Sequence, residues 1–134
     1  MAITKPVTQT SGRFTVTLTG CTTAVTGTLY WHRVGDLVIV STRSAEIVGT
    51  SNAATFTLTG WPAKIYPPSD RWTPFKAYDA GSWWDAQLRF NARSTGIVTC
   101  AATELGAATW TASGSKGIAA TTFVYTLDNN QVMS

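Results

Sequence analysis

Arg13-Phe14-Thr15-Val16-Thr17-Leu18-Thr19 is the stretch that decides the fold. Phe14, Val16 and Leu18 fall on one side of an extended chain and three threonines on the other, the period-2 pattern of a strand with one face buried and one wet. Gly20 stops it. Ala54-Thr55-Phe56-Thr57-Leu58-Thr59-Gly60 repeats the alternation, and Trp61-Pro62 ends it because proline has no amide to donate to a neighbouring strand. Between these two, residues 28–33 lead into Val34-Gly35-Asp36-Leu37 and out again through Val38-Ile39-Val40. Gly35-Asp36 therefore reads as a two-residue hairpin turn, with glycine supplying the positive φ that a β-branched residue resists.

Working outward, strands are expected at 72–78, 84–90, 97–101, 108–112 and 118–127. Their separators are Gly81, Ser94-Thr95-Gly96, Glu104-Leu105-Gly106 and Ser113-Gly114-Ser115-Lys116-Gly117, while 22–27 and 48–52 read as turns and Pro67-Pro68 marks a loop. Eight or nine short strands at about 12-residue spacing predict an all-β fold, an antiparallel β-sandwich or jelly roll. The domain organisation expected is an N-terminal arm over residues 1–12 and a single β-sandwich domain over residues 13–134.

Composition agrees with this reading. The chain has 134 residues, 44% hydrophobic and 11% aromatic, which suits one core. Charged residues make up 13%, against about a quarter in an ordinary domain. Six Trp, four Tyr and five Phe supply the apolar surface that a disordered chain lacks. No apolar run approaches the roughly 20 residues that span a bilayer, and the polar N-terminus with Pro6 is not a signal peptide, so no membrane insertion is expected. The net charge of +3 is scattered without a basic run, which gives no nucleic-acid signature.

Catalytic constellations are thin. His32 is the sole histidine, on the strand side shared with Tyr30 and opposite Trp31, and reads as a structural or exposed strand residue. Neither GxSxG, a P-loop, GxGxxG nor HExxH occurs, so the reading calls for no catalytic residue, no metal and no cofactor. Asp70, Asp79 and Asp85 raise a glycosidase possibility, but closeness in sequence gives carboxylate proximity by accident. Cys21 and Cys100 are too far apart for a CxxC motif, and whether they pair is left open.

What stands out is the aromatic density of segment 66–93: Tyr66, Trp72, Phe75, Tyr78, Trp83, Trp84 and Phe90. Aromatic faces stack on the C–H faces of sugars, and neighbouring carboxylates and guanidinium groups orient hydroxyls. Trp72, Tyr78, Trp83 and Trp84 are the candidate stacking residues of a ligand site, with Asp79, Asp85 and Arg89 as its polar partners. Packing in the core or at a subunit interface is the competing role for the same aromatics. Adjacent Trp83 and Trp84 cannot both face inward from one strand, so at least one is in a loop, in an interface or available to a ligand.

The run Gly27-Thr28-Leu29-Tyr30-Trp31-His32-Arg33-Val34-Gly35-Asp36-Leu37-Val38-Ile39-Val40, followed by Gly49-Thr50-Ser51-Asn52-Ala53-Ala54-Thr55-Phe56-Thr57-Leu58-Thr59-Gly60-Trp61-Pro62-Ala63-Lys64, resembles a module of tailed-bacteriophage virion proteins and prophage genes. Trp110-Thr111-Ala112-Ser113-Gly114-Ser115-Lys116-Gly117 and Phe123-Val124-Tyr125-Thr126-Leu127 are similar to its ending. Residues 71–93 lie outside the resemblance. It implies a compact β-sandwich that trimerises, located on the virion, assembled in the host cytoplasm and exposed outside the cell. The function implied is that of a non-enzymatic receptor-binding tip of a tail or head fibre, with bacterial surface glycan or a protein receptor as partner, alongside other virion proteins. The alternative is a capsid decoration or appendage protein that binds only other virion proteins. With about a dozen residues ahead of its first strand, the chain is expected to be an excised tip domain or a small complete virion protein.

Overall fold

The computed structural model describes residues 10–91, 96–101 and 110–127. The fold is all-β and antiparallel, and its ten strands form one curled, sandwich-like sheet. In chain order they are β1 (Ser11–Thr19), β2 (Val25–Val34), β3 (Leu37–Ser41), β4 (Ile47–Thr50), β5 (Thr57–Thr59), β6 (Arg71–Asp79), β7 (Ser82–Phe90), β8 (Ile97–Ala101), β9 (Ser115–Ile118) and β10 (Thr122–Thr126). Across the sheet the order is β10-β3-β2-β1-β5-β8-β7-β6-β9-β4. The curl brings β4 against β2 and β10 against β6, where the Thr73 hydroxyl donates to the Val124 carbonyl at 2.7 Å.

The alternation sets the faces as expected. Val16 and Leu18 are buried on β1 and Phe14 packs at the margin of the same core. Thr15, Thr17 and Thr19 point outward and face other threonines across the sheet, Thr28 on β2 from Thr15, Thr26 and Thr59 from Thr17, and Thr57 on β5 from Thr19. The β2–β3 hairpin closes at Gly35-Asp36, with Val34 opposite Leu37 and Gly35 at φ +60.

Several boundaries differ from expectation. The described residues carry ten strands rather than eight or nine, because β4 and β9 arise where turns were expected. Lys116 and Gly117, taken as part of a separator, are paired on both sides, to β4 and to β6. The expected strand 118–127 is two strands. Between them Thr42 draws the chain aside, donating its amide to the Thr121 carbonyl at 3.0 Å and accepting the Thr121 amide on its hydroxyl at 2.9 Å, so β10 leaves β9 and joins β3. Residues 110–112 of the expected strand 108–112 are not in a strand, and Val25 to Gly27, read as turn, open β2. β1 begins at Ser11, within the expected arm. Residues 1–9 of that arm, Ser94-Thr95, Glu104-Leu105-Gly106 and positions 108–109 lie outside the described residues.

The core is aromatic at its centre. Phe90 is wholly buried, with ring centres of Trp61, Tyr66 and Tyr125 at 5.3, 5.5 and 4.5 Å. The Tyr125 hydroxyl donates to the Ile65 carbonyl at 2.6 Å and accepts from Trp61 Nε1 at 3.0 Å, so a phenol at the heart of the core is satisfied. Cys21 and Cys100 are free thiols.

Burial raises the pKa of Tyr66 and Tyr125 above the ordinary 10.0 and of Cys100 above 9.0, and lowers that of Lys116 below 10.5. A group whose folded pKa is raised stabilises the fold below its unfolded pKa, and that stability is lost as pH rises beyond it. Lys116 acts in the opposite sense, since the unfolded chain holds its proton more tightly and stability grows with pH up to the unfolded value. Lys116 adds nothing further above its unfolded value while both tyrosines continue to lose their contributions, so thermal stability is expected to fall above about pH 10.5. Melting curves followed by circular dichroism from neutral pH to about pH 11 check this. An unchanged or rising melting temperature above about pH 10.5 contradicts it.

Candidate ligand-binding face

Segment 66–93 carries the two strands expected at 72–78 and 84–90. It is mainly a hairpin of two nine-residue strands, β6 and β7, joined by Ala80 and Gly81 at φ +52 and +82. Positive φ at both central positions is the geometry of a type I′ turn, whose twist matches that of the flanking strands. Alternation then sorts the side chains. Thr73, Phe75, Ala77 and Asp79 of β6, with Ala86, Leu88 and Phe90 of β7, are buried. The opposite face carries four cross-strand rows: Trp72 beside Arg89, Pro74 beside Gln87, Lys76 beside Asp85, and Tyr78 beside Trp83.

Five of the seven sequence-derived candidates thus lie together. Trp72 and Trp83 are 44% and 56% exposed, large fractions for the bulkiest apolar side chain. Arg89 places its guanidinium carbon 5.4 Å from the Trp72 ring centre, a cation–π contact, and pairs with Asp70 at 3.9 Å. Trp83 packs its ring centre 4.2 Å from that of Tyr78, whose hydroxyl donates to Glu46 Oε1 at 2.9 Å. Asp85 accepts from Lys76 Nζ.

The other two candidates are elsewhere. Trp84 shares the side of Ala86 and Leu88 but is 47% exposed: β6 is covered by β9 at this end, whereas β7 pairs with β8 only from Gln87 to Phe90. Adjacent Trp83 and Trp84 therefore both meet solvent, on opposite sides of one hairpin. Asp79 is a correction: it is buried, and its carboxylate accepts the Thr111 amide at 3.0 Å and the Thr111 hydroxyl at 3.0 Å, which commits it to anchoring that segment. The three aspartates do not converge. Asp70 pairs with Arg89, Asp85 with Lys76, and Asp79 lies on the opposite side of the hairpin from Asp85. Among the described residues no group of three or more His, Cys, Asp and Glu side chains gathers to hold a metal. His32 is exposed on the outer face of β2, opposite Ile39 of β3.

Lys76 and Glu46 are members of this face that the sequence reading missed. Lys76 lies two residues from Tyr78 and four from Trp72, so strand periodicity alone places it on their side. Glu46 reaches Tyr78 from the position just before β4, and no local pattern announces it.

A second surface continues from the first. Thr19, Thr57, Thr99 and Arg89 stand in one cross-strand row over β1, β5, β8 and β7, and Thr26, Thr17, Thr59 and Ile97 in the next. Farther along, exposed Val34, Leu37 and Val124 cap the outer side of β2, β3 and β10. Comparison with models of protein families and with curated proteins returns no match.

Proposed function

We propose that this chain is a non-enzymatic bacteriophage virion protein, the receptor-binding tip domain of a tail or head fibre. In this reading it recognises bacterial surface glycan through the outer face of the β6–β7 hairpin. The supporting observation is the half-exposure of Trp72 and Trp83 on one face of a paired hairpin, interleaved with Lys76, Asp85 and Arg89. Indole rings on a rigid scaffold give stacking surface at small entropic cost, and charged groups between them orient hydroxyls. The threonine rows on the outer face of β2, β1, β5 and β8 suit contact between copies in a homotrimer. Three copies multiply a weak glycan contact into firm attachment.

A capsid decoration or appendage protein that binds only other virion proteins is the second reading. Exposed Val34, Leu37, Ile97 and Val124 favour it, since apolar side chains in the open suit subunit packing. An array of bacterial surface glycans probed with the purified protein separates the two. Binding to a subset of glycans without release of reducing sugar supports the receptor-binding reading. No glycan binding, with a monomer mass near 14.3 kDa by light scattering, overturns it.

A further inference from the structure

We infer that the outer face of the β6–β7 hairpin holds two separate stacking subsites and takes a linear, neutral oligosaccharide long enough to reach both. This rests on the glycan reading above and adds the ligand's length and charge. The aromatic groups of this face are at its two ends. Trp72, backed by Arg89, stands in the first row, while Trp83, packed on Tyr78, stands in the last. Residues 72 and 78 are six apart on a continuous strand, about 20 Å at about 3.3 Å per residue, the length of about four extended sugar rings. A single sugar reaches one end only.

The two rows between the platforms carry no aromatic ring: Pro74 stands beside the Gln87 amide, and Lys76 beside Asp85. Both cations of the face are paired, Arg89 with Asp70 and Lys76 with Asp85, and Glu46, which accepts from Tyr78, adds a third carboxylate. A polyanion would have to displace two carboxylates from their cations and pass a third at Glu46. Neutral sugar hydroxyls use the same donors and acceptors without separating the pairs. A chain that fills one platform presents its continuation to the other at high effective concentration, so the second contact multiplies the first.

The test is calorimetric titration of the full chain with fragments of neutral O-antigen polysaccharides, from single sugars to about eight rings, for wild type, Trp72→Ala and Trp72→Phe. Affinity is expected to be weak and flat for short fragments and to rise about tenfold or more once about four rings are present. Trp72→Ala should abolish that rise while keeping the short-fragment affinity, which also reports an intact fold, and Trp72→Phe should restore most of it. Equal affinity for single sugars and long fragments, or a gain with length that survives Trp72→Ala, overturns the two-subsite inference and leaves the glycan reading standing. Absence of binding at every length overturns both.

Discussion

Lys116→Ala is expected to destabilise the domain by about 3 kcal/mol or more, an effect out of proportion to the loss of one lysine. Lys116 is wholly buried on β9, and its Nζ donates to the carbonyls of Ala53 at 2.8 Å and Thr55 at 2.6 Å. The ammonium thereby ties the connection between β4 and β5 to the strand that bridges β4 and β6. Truncation takes the ammonium donor from both carbonyls and leaves a hole where the buried four-carbon stem ran. Lys116→Met separates the two effects: it refills the volume, leaves the carbonyls without their donor, and should recover only part of the loss. Urea unfolding measures both. An unchanged midpoint for Lys116→Ala would mean that the amine contributes nothing to the fold.

Phe90→Ala should cost about 3 to 5 kcal/mol, the range for removing a large aromatic from a packed core. Its ring is the hub where Trp61, Tyr66 and Tyr125 meet. A cavity there also loosens the Tyr66 hydroxyl, which lies 2.8 Å from the carbonyls of both Asn91 and Ile97 and so fastens the end of β7 to the start of β8. Phe90→Leu retains most of the apolar volume and is expected to lose less, about 1 kcal/mol. Thermal melts of the two variants check the ranking, and equal losses would contradict the view that filled apolar volume carries most of the contribution of Phe90.

The parts of the fold that were legible are those written in local alternation. Residues 13–19 declare their two faces because valine and leucine alternate with threonine, and Gly35-Asp36 declares its turn because few residues other than glycine take φ +60 without strain. β9 was not legible. Ser115-Lys116-Gly117-Ile118 has no period-2 contrast, and it becomes a strand through pairing with β4 and β6, both distant in sequence. A lysine in such a segment reads as exposed, since its burial depends on carbonyls some 60 residues away. The candidate site was half legible. Aromatic density located the hairpin, but Trp83 beside Trp84 masked its regularity, and the commitment of Asp79 to Thr111 has no local signature.

The arrangement of side chains on β6 and β7 links this folding pattern to function. Inner residues hold the hairpin to the core, so outer residues are free to change without cost to stability. The central claim, that the exposed tryptophans serve binding rather than folding, is tested most directly by one paired measurement on Trp83→Ala and Trp84→Ala: melting temperature together with attachment of the protein to bacterial cells that it binds as wild type. Trp83→Ala is expected to weaken attachment about tenfold or more with a change in stability below about 1 kcal/mol. Trp84→Ala, on the other side of the hairpin, should match it in stability and have the smaller effect on attachment. If each substitution either unfolds the domain or leaves attachment intact, the tryptophans are packing residues and the receptor-binding account is wrong.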